Sequence, residues 1–410
     1  MLIYFKGPQV FSLKNLMSAL IFIVQISFCF PFKTMGQKYN IAEVINSSPM
    51  NLKSYTVEIR VSKLRRFNRQ SQKLHFVVKD ESGKIMMSQM ANMDCNEIPD
   101  LLLFQTDIDA KNARKFYIQQ DTNEEKKVIS AISTYCRFVP ERIDDFAWEN
   151  DKVAFRTFGP KAQKLWEDGD KEGLISSGID CWLKRVCYPI INKWYEKDKN
   201  GGSYHVDDGE GLDNFHVGVS RGCGGTALFK NNTLYPSQNY SSWKIIANGP
   251  IRSVFELTYK PVELNGNIIT ETKKITIDLG SNFYRCEVSF KSATPVSKIG
   301  IGITLHDNKG TTHSNKNRGW ISYWEPIEDS EIGLGVILPK DNFVNYLKKE
   351  NQPEDENNLW AISSVNNNKA TYYAGFGWKK GNQFTTHTEW DRYLDTFANQ
   401  INTTVKVNIQ

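Results

Sequence analysis

The 410-residue chain lacks the marks of several protein classes. Its 51 lysines and arginines are matched by 46 aspartates and glutamates and lie scattered. Without the basic blocks that track a phosphate backbone, a nucleic-acid partner is set aside. Beyond residue 36 no apolar run approaches the roughly 20 residues that cross a bilayer, so no integral membrane segment is expected in the mature chain. No internal repeat and no proline- or serine-rich linker divides the sequence. Cysteine is sparse, and Cys95, Cys136, Cys181, Cys187, Cys223 and Cys286 match no metal-ligand spacing. An oxidising compartment would allow one or two disulfides among them, and small buried hydrophobes are an equal alternative.

The first 36 residues read as a targeting segment. Lys6 and Lys14 precede the apolar run "LMSALIFIVQISFCF", Leu16 to Phe30, which has the length of a signal-peptide core. Cleavage is expected near Gly36 or Gln37, which sends the chain to the periplasm or outside the cell. Lipid anchoring through Cys29 is the less favoured outcome, because Phe28 is bulky where a small residue is wanted. Residues 37–410 are then expected to form a single domain, large enough at 40% hydrophobic content to bury a sizeable core.

What the sequence has in quantity is period-two alternation. "TVEIRV" sets Val57, Ile59 and Val61 against polar neighbours, "VFELTYK" does so with Phe255, Leu257 and Tyr259, and "KKITIDL" and "TVKVNI" repeat the pattern. Asn265-Gly266 between two such runs is a type I′ hairpin signal. The expectation is a mainly β chain, a large antiparallel β-sandwich; by analogy of fold, a supersandwich like galactose mutarotase would suit it. Helices are few: "DCWLKRVCYPIINKWYEK" around Pro189, and "HTEWDRYLDTFANQI", where Thr388 and Asp391 have capping-box spacing. Trp390, Leu394 and Phe397 share one face of the latter.

Three polar stretches stand apart. "YHVDDGEGLDNFHVGVSRGCGG", Tyr204 to Gly225, cannot be a core strand, since Asp207, Asp208, Glu210 and Asp213 would be buried unpaired. Those four carboxylates are also candidates for a structural calcium, although EF-hand spacing is absent. Arg221 to Gly225 lacks the lysine and hydroxyl residue of a phosphate loop, so its glycines allow tight turns that present Arg221. Cys223 has no adjacent base and is not read as a nucleophile. "RIDDFAWENDKVAFRTFGP" mixes Asp145, Glu149 and Arg156 with Trp148 and other aromatics, the combination a sugar cleft uses. "HDNKGTTHSNKNRGWISYWEP" adds His306, His313 and a group of aromatics.

Four ordered blocks, "DDFAWENDKVAFRTFGP", "SSGIDCWLKRVCYPIINKWY", the Tyr204 stretch and "SWKIIANGPIRSVFELTY", resemble a family of secreted bacterial domains, long of unknown function, encoded in polysaccharide-utilisation loci. The resemblance covers about residues 50 to 410 and implies an oligosaccharide dehydratase in ulvan breakdown. This chain departs from the family pattern near Asp208 and His216, where a histidine and a basic residue are more usual. A dehydratase of this kind removes the C5 proton of a non-reducing-end uronate and expels the C4 hydroxyl, giving a 4,5-unsaturated sugar. It needs a cation on the carboxylate, a base at C5 and an acid for the leaving group. Arg221 and Arg156 fit the first task by their forked guanidinium and His205 the second. Tyr204, His313 and Tyr235 are all candidates for the third. Asp145, Trp148, Glu149, Asp208, Glu210 and Trp243 are expected to line the substrate site. A polysaccharide lyase, a glycoside hydrolase with paired carboxylates, and a non-catalytic glycan-binding protein are the rivals.

Overall fold

Alternating strands build nearly everything in this computed structural model, which describes residues 39–65, 74–94, 96, 98–121, 128–350, 353 and 356–410. The expected signal segment, with Cys29, lies outside the described residues, as does Cys95. Residues from Lys38 to Gln410 form one compact unit. The expected antiparallel β-sandwich is what the chain forms.

The largest sheet follows the order Tyr240–Ala247, Arg252–Tyr259, Asn267–Asp278, Phe283–Lys291, Lys369–Trp378, Ser330–Ile337, Trp320–Ile327 and Thr311–Asn315, with Val262–Leu264 paired at its side. Its inner face shares one core with two five-stranded sheets. One of these runs Thr233–Pro236, Cys223–Lys230, Lys298–Thr304, Asn358–Ser364 and Phe343–Lys349. The other, called here the site sheet, runs Gly211–Leu212, Ile179–Lys184, Ala154–Thr157, Asp145–Glu149 and Tyr135–Val139. Aromatic rings knit them: Phe155 meets Tyr284 at 5.0 Å and Phe376 at 5.3 Å, centroid to centroid. Edge-to-face pairs of this kind add about 0.5–1.5 kcal/mol each beyond the area they bury.

A second, smaller sandwich has its own core around Val44, Val57, Phe104, Phe116 and Ile118. Its five-stranded sheet places Asn40–Asn46 between Val405–Ile409 and Asn112–Gln120. Leu52–Arg60, Leu101–Ile108 and Ser88–Ala91 form the facing sheet. The expected hairpin is present, with Leu264 opposite Asn267 and both turn residues at positive φ (54° and 76°).

Two local expectations are corrected. "DCWLKRVCYPIINKWYEK" is a strand and a helix, because Ile179–Lys184 joins the site sheet and only Ile191–Lys199, past Pro189, is helical. In the helix His387–Ile401 the cap is Thr386, whose hydroxyl accepts from the Glu389 amide at 3.3 Å, while the Glu389 carboxylate accepts from Thr385. The pairing of Thr388 with Asp391 plays no part. Trp390 and Leu394 of this helix are fully buried on the large sheet, where Gly333 and Gly335 leave the room; a Cβ on Gly333 would sit 2.8 Å from the Trp390 ring. Among the described residues no helix is long and apolar enough to cross a membrane.

Candidate functional site

The site sheet sorts its side chains by parity. Phe146, Trp148, Phe155, Cys181 and Leu183 face the main core. Their neighbours Asp145, Glu149, Arg156, Asp180, Trp182 and Lys184 therefore face the other way, under the helix Ile191–Lys199 and the loop that follows it. On that second face two polar clusters form, both almost closed to solvent.

The first centres on Arg156. Its guanidinium donates to Asp180 at 2.6 Å and to Asp213 at 3.0 Å, and lies 3.7 Å from Asp145. The Arg156 side chain also lies over the Trp182 ring at 5.3 Å. Arg156 Nη1 and Arg142 Nε both donate to the Tyr204 hydroxyl oxygen, each at 3.3 Å. Tyr195 donates to Asp145 at 3.3 Å. Burial outweighs the attraction of the arginines at two carboxylates, so Asp145 and Asp180 are both raised to about 7. Asp213 is raised for the same reason. One oxygen each of Asp145 and Asp180 is buried without a hydrogen-bond partner. Buried carboxylates raised in this way gather at functional sites more than elsewhere.

His205 stands at the outer edge of this cluster. Its ring lies 4.6 Å from the Tyr204 ring, and its side chain is 58% exposed. Nδ1 bonds the Asp213 carbonyl oxygen. A carbonyl can only accept, so Nδ1 carries the hydrogen, and a neutral His205 keeps its lone pair on Nε2. Arg142 is half-buried, and Tyr204 is the one hydrogen-bond partner of its guanidinium among the described residues. The backbone beside it is strained: Ile143 and Asp144 have φ of 43° and 64°. A β-branched residue there is rare, and such strain costs of order 1–3 kcal/mol. Two contacts hold the turn. Tyr240 donates to the Asp144 carbonyl at 2.6 Å, and Gly159 packs so closely on that carbonyl that a Cβ would come within 1.7 Å of its oxygen.

Residues 44–407 match the profile of a family described as a domain of unknown function, DUF4861. The chain belongs to the DUF4861 family. It is 44% identical over 339 residues to uncharacterized protein P7 of Formosa agariphila, covering 82% of this chain and 85% of that protein. Among solved structures it aligns with a protein in glycosyl hydrolase family 38 from Enterococcus faecalis, at TM-score 0.49 and 10% identity over 91% of this chain. An alpha-mannosidase from the same organism gives TM-score 0.44 and 9% identity over 91% of this chain. This chain spans about half the length of each, 48% and 46%.

The DUF4861 structure brings together Asp145, Arg156, Tyr204 and His205, from two of the stretches singled out in the sequence. It takes others elsewhere. Trp148 is fully buried in the main core, because it has the opposite strand parity from Asp145. Glu149 is fully buried in the second cluster, where it accepts from Lys184 at 2.7 Å and from the amides of Ile190 and Ile191 at 2.9 Å. That carboxylate anchors the helix Ile191–Lys199 and has no surface to offer a sugar. Arg221 is buried, donates to Ser177 at 2.9 Å and to the Val219 carbonyl, and among the described residues has no hydrogen bond to His205. Burial lowers its guanidinium to about 10. His313 pairs with Asp391 of the C-terminal helix. Tyr235 is half-buried against the main core, and Trp243 is 42% exposed and stacked on Phe138 at 5.0 Å, on the face away from Arg156.

The four acidic residues of the Tyr204 stretch also separate. Asp207 pairs with Arg185 at 3.1 Å, Asp208 with Lys197 at 2.9 Å, Glu210 with Lys193, and Asp213 with Arg156. The stretch thus buries Glu210 and Asp213 after all, each paid for by a cation. Among the described residues no group of three or more His, Cys, Asp or Glu is disposed to hold a metal. Cys136, Cys181, Cys223 and Cys286 are free and buried, and burial pushes the Cys136 and Cys286 thiols up to about 12, so they act as small hydrophobes. Sequence reasoning missed Asp180, Trp182, Tyr195 and Arg142. Asp180 had a signal, a lone carboxylate in the apolar run "GIDCWL".

Proposed function

We propose that this protein is an oligosaccharide dehydratase that eliminates water from a non-reducing-end uronic acid, on oligosaccharides of the kind released from ulvan, in the periplasm or outside the cell. The observation that carries the reading is the tautomer of His205, an exposed imidazole with its lone pair on Nε2, packed on the Tyr204 ring whose hydroxyl accepts from Arg142 and Arg156. The resemblance of the four sequence blocks supports the choice of substrate.

The steps balance with one histidine. Arg142, with its terminal N–H groups open, holds the uronate carboxylate and stabilises the charge that spreads onto it as the C5–H bond weakens. His205 Nε2 takes the C5 proton, the C4–O bond breaks as the C4=C5 bond forms, and the imidazolium returns that proton to the departing hydroxyl, which leaves as water. Tyr204 is 2% exposed and its oxygen already accepts from both arginines. Its part is to hold Arg142 in place, so the role of acid falls to His205. Asp145 and Asp180, each 1% exposed and turned toward Arg156, give a glycosidase no pair of carboxylates across a bond.

Incubation of the protein with uronate-terminated oligosaccharides, followed by low-ultraviolet absorbance and product mass, tests this. A rise in absorbance with loss of one water and unchanged chain length is expected. Shorter products would replace dehydration by lysis, and no product at all would leave only glycan binding.

A further inference from the structure

A cleft enclosing about 480 Å³ lies between the small sandwich and the outer face of the large sheet, and none of the groups of the His205 site lines it. We propose that it is a separate binding subsite for an acidic sugar residue, carboxylated or sulfated. Three neighbouring strands supply its floor. Alternation that buries Ile275 and Ile277 inward turns Lys274 and Thr276 outward, and Thr276 stands opposite Arg285 while Lys274 stands opposite Glu287. The wall comes from Glu58, Arg60 and Lys63 of the small sandwich.

Counting Asp278, the cleft holds five cations and five carboxylates, which balance in number but do not all pair. Arg252 is satisfied by Glu58 and Asp278, both at 2.6 Å, Arg60 by Asp100 at 3.1 Å, and Arg285 by Glu287 at 2.9 Å. Asp94 accepts from the backbone and side-chain amides of Asn96 at 3.3 Å and 2.7 Å. Lys63 and Lys274 are then the two cations with no ion-pair partner among the described residues. Two open ammonium groups on one wall and floor suit an anion. The paired carboxylates and Thr276 beside them suit hydroxyl groups, and among the described residues Met93 and Leu101 are the only apolar ones lining the space. Its volume is that of a small-ligand pocket and has room for a sugar residue or two.

The sugar identity of the ligand rests on the dehydratase reading, and the test separates the two. Binding is measured by titration calorimetry on a His205→Ala background, with a uronate-terminated oligosaccharide, its sulfated counterpart, its carboxyl-reduced neutral counterpart and inorganic phosphate. Lys63→Ala/Lys274→Ala is expected to weaken one of the two acidic oligosaccharides at least tenfold, and the neutral one not at all, with the melting temperature unchanged. Whichever acidic ligand loses affinity identifies the group recognised. Turnover is read in parallel on the parent protein with His205 intact. Equal affinity of the double variant and its parent for both acidic oligosaccharides, with turnover present, overturns the subsite alone. Phosphate that displaces the oligosaccharide completely would overturn it too, in favour of a simple anion site. Absence of turnover with the lysine-dependent binding intact would overturn the dehydratase reading and leave the subsite standing.

Discussion

At the scale of single residues, the arrangement around His205 makes two sharp predictions. His205→Ala removes the proposed base while leaving Asp213 in its ion pair with Arg156, so product formation is expected to fall by about 10²–10⁴ with little change in melting temperature. Retention of full turnover would exclude His205 from the chemistry. Arg142→Gln is expected to lower kcat/KM on a uronate substrate by about 10²–10³, and Arg142→Lys to recover little of it, because an ammonium cannot offer two parallel N–H groups to a carboxylate. On a carboxyl-reduced substrate the variant and the parent should be equally poor; a further drop there would mean that Arg142 acts on something other than the carboxylate. The residues of this cluster were unevenly legible in the sequence. Tyr204 and His205 sit in a glycine-rich polar stretch that cannot form a core strand, and Arg156 sits among aromatics and carboxylates. Asp180 hid in an apolar run that reads as helical, and nothing in the letters around Arg142 announces the positive φ of Ile143 and Asp144.

At the scale of elements, parity explains both what the sequence showed and what it concealed. Alternation identified Arg252–Tyr259 and Asn267–Asp278 as one-sided strands, and the same rule sends Trp148 and Asp145 to opposite faces of one strand. A linear reading that gathers Asp145, Trp148 and Glu149 into one cleft ignores this. It also cannot foresee that Glu149 meets Lys184, 35 residues away, and caps a helix with the same carboxylate. That pair makes a structural prediction. Glu149→Ala leaves a fully buried ammonium without its counter-ion and two helix amides without an acceptor, and is expected to cost about 3–5 kcal/mol in denaturant unfolding. Glu149→Leu combined with Lys184→Met, which removes both charges, should recover a large part of that loss. If the double variant were no better than the single one, the helix cap rather than the ion pair would hold the element.

At the scale of the whole molecule, the Arg156 cluster sets a pH dependence that the net charge of +5 would not predict. Arg142 and Arg156 face Asp145, Asp180 and Asp213, so full ionisation of the three carboxylates leaves one negative charge in excess inside a nearly closed space. Asp145 therefore holds its proton up to about pH 7 in the folded chain, against an ordinary value of 3.8, chiefly because burial penalises its charge. In the unfolded chain that proton is lost near pH 4. Between those two values the native state binds more protons than the unfolded one, so this group makes stability fall as pH rises from about 4 to about 7, and flat above. His306 adds to the fall as its own raised value is passed: although burial pulls it down, its bond to Glu325 at 2.7 Å wins. The contribution of Asp145 is isolated by difference. Asp145→Asn removes the excess charge and keeps the shape, so its melting temperature relative to the parent should be clearly more favourable at pH 8 than at pH 5. An offset that is the same at both values would mean that Asp145 is already ionised in the native state at pH 5, and that the three carboxylates share their charge in another way.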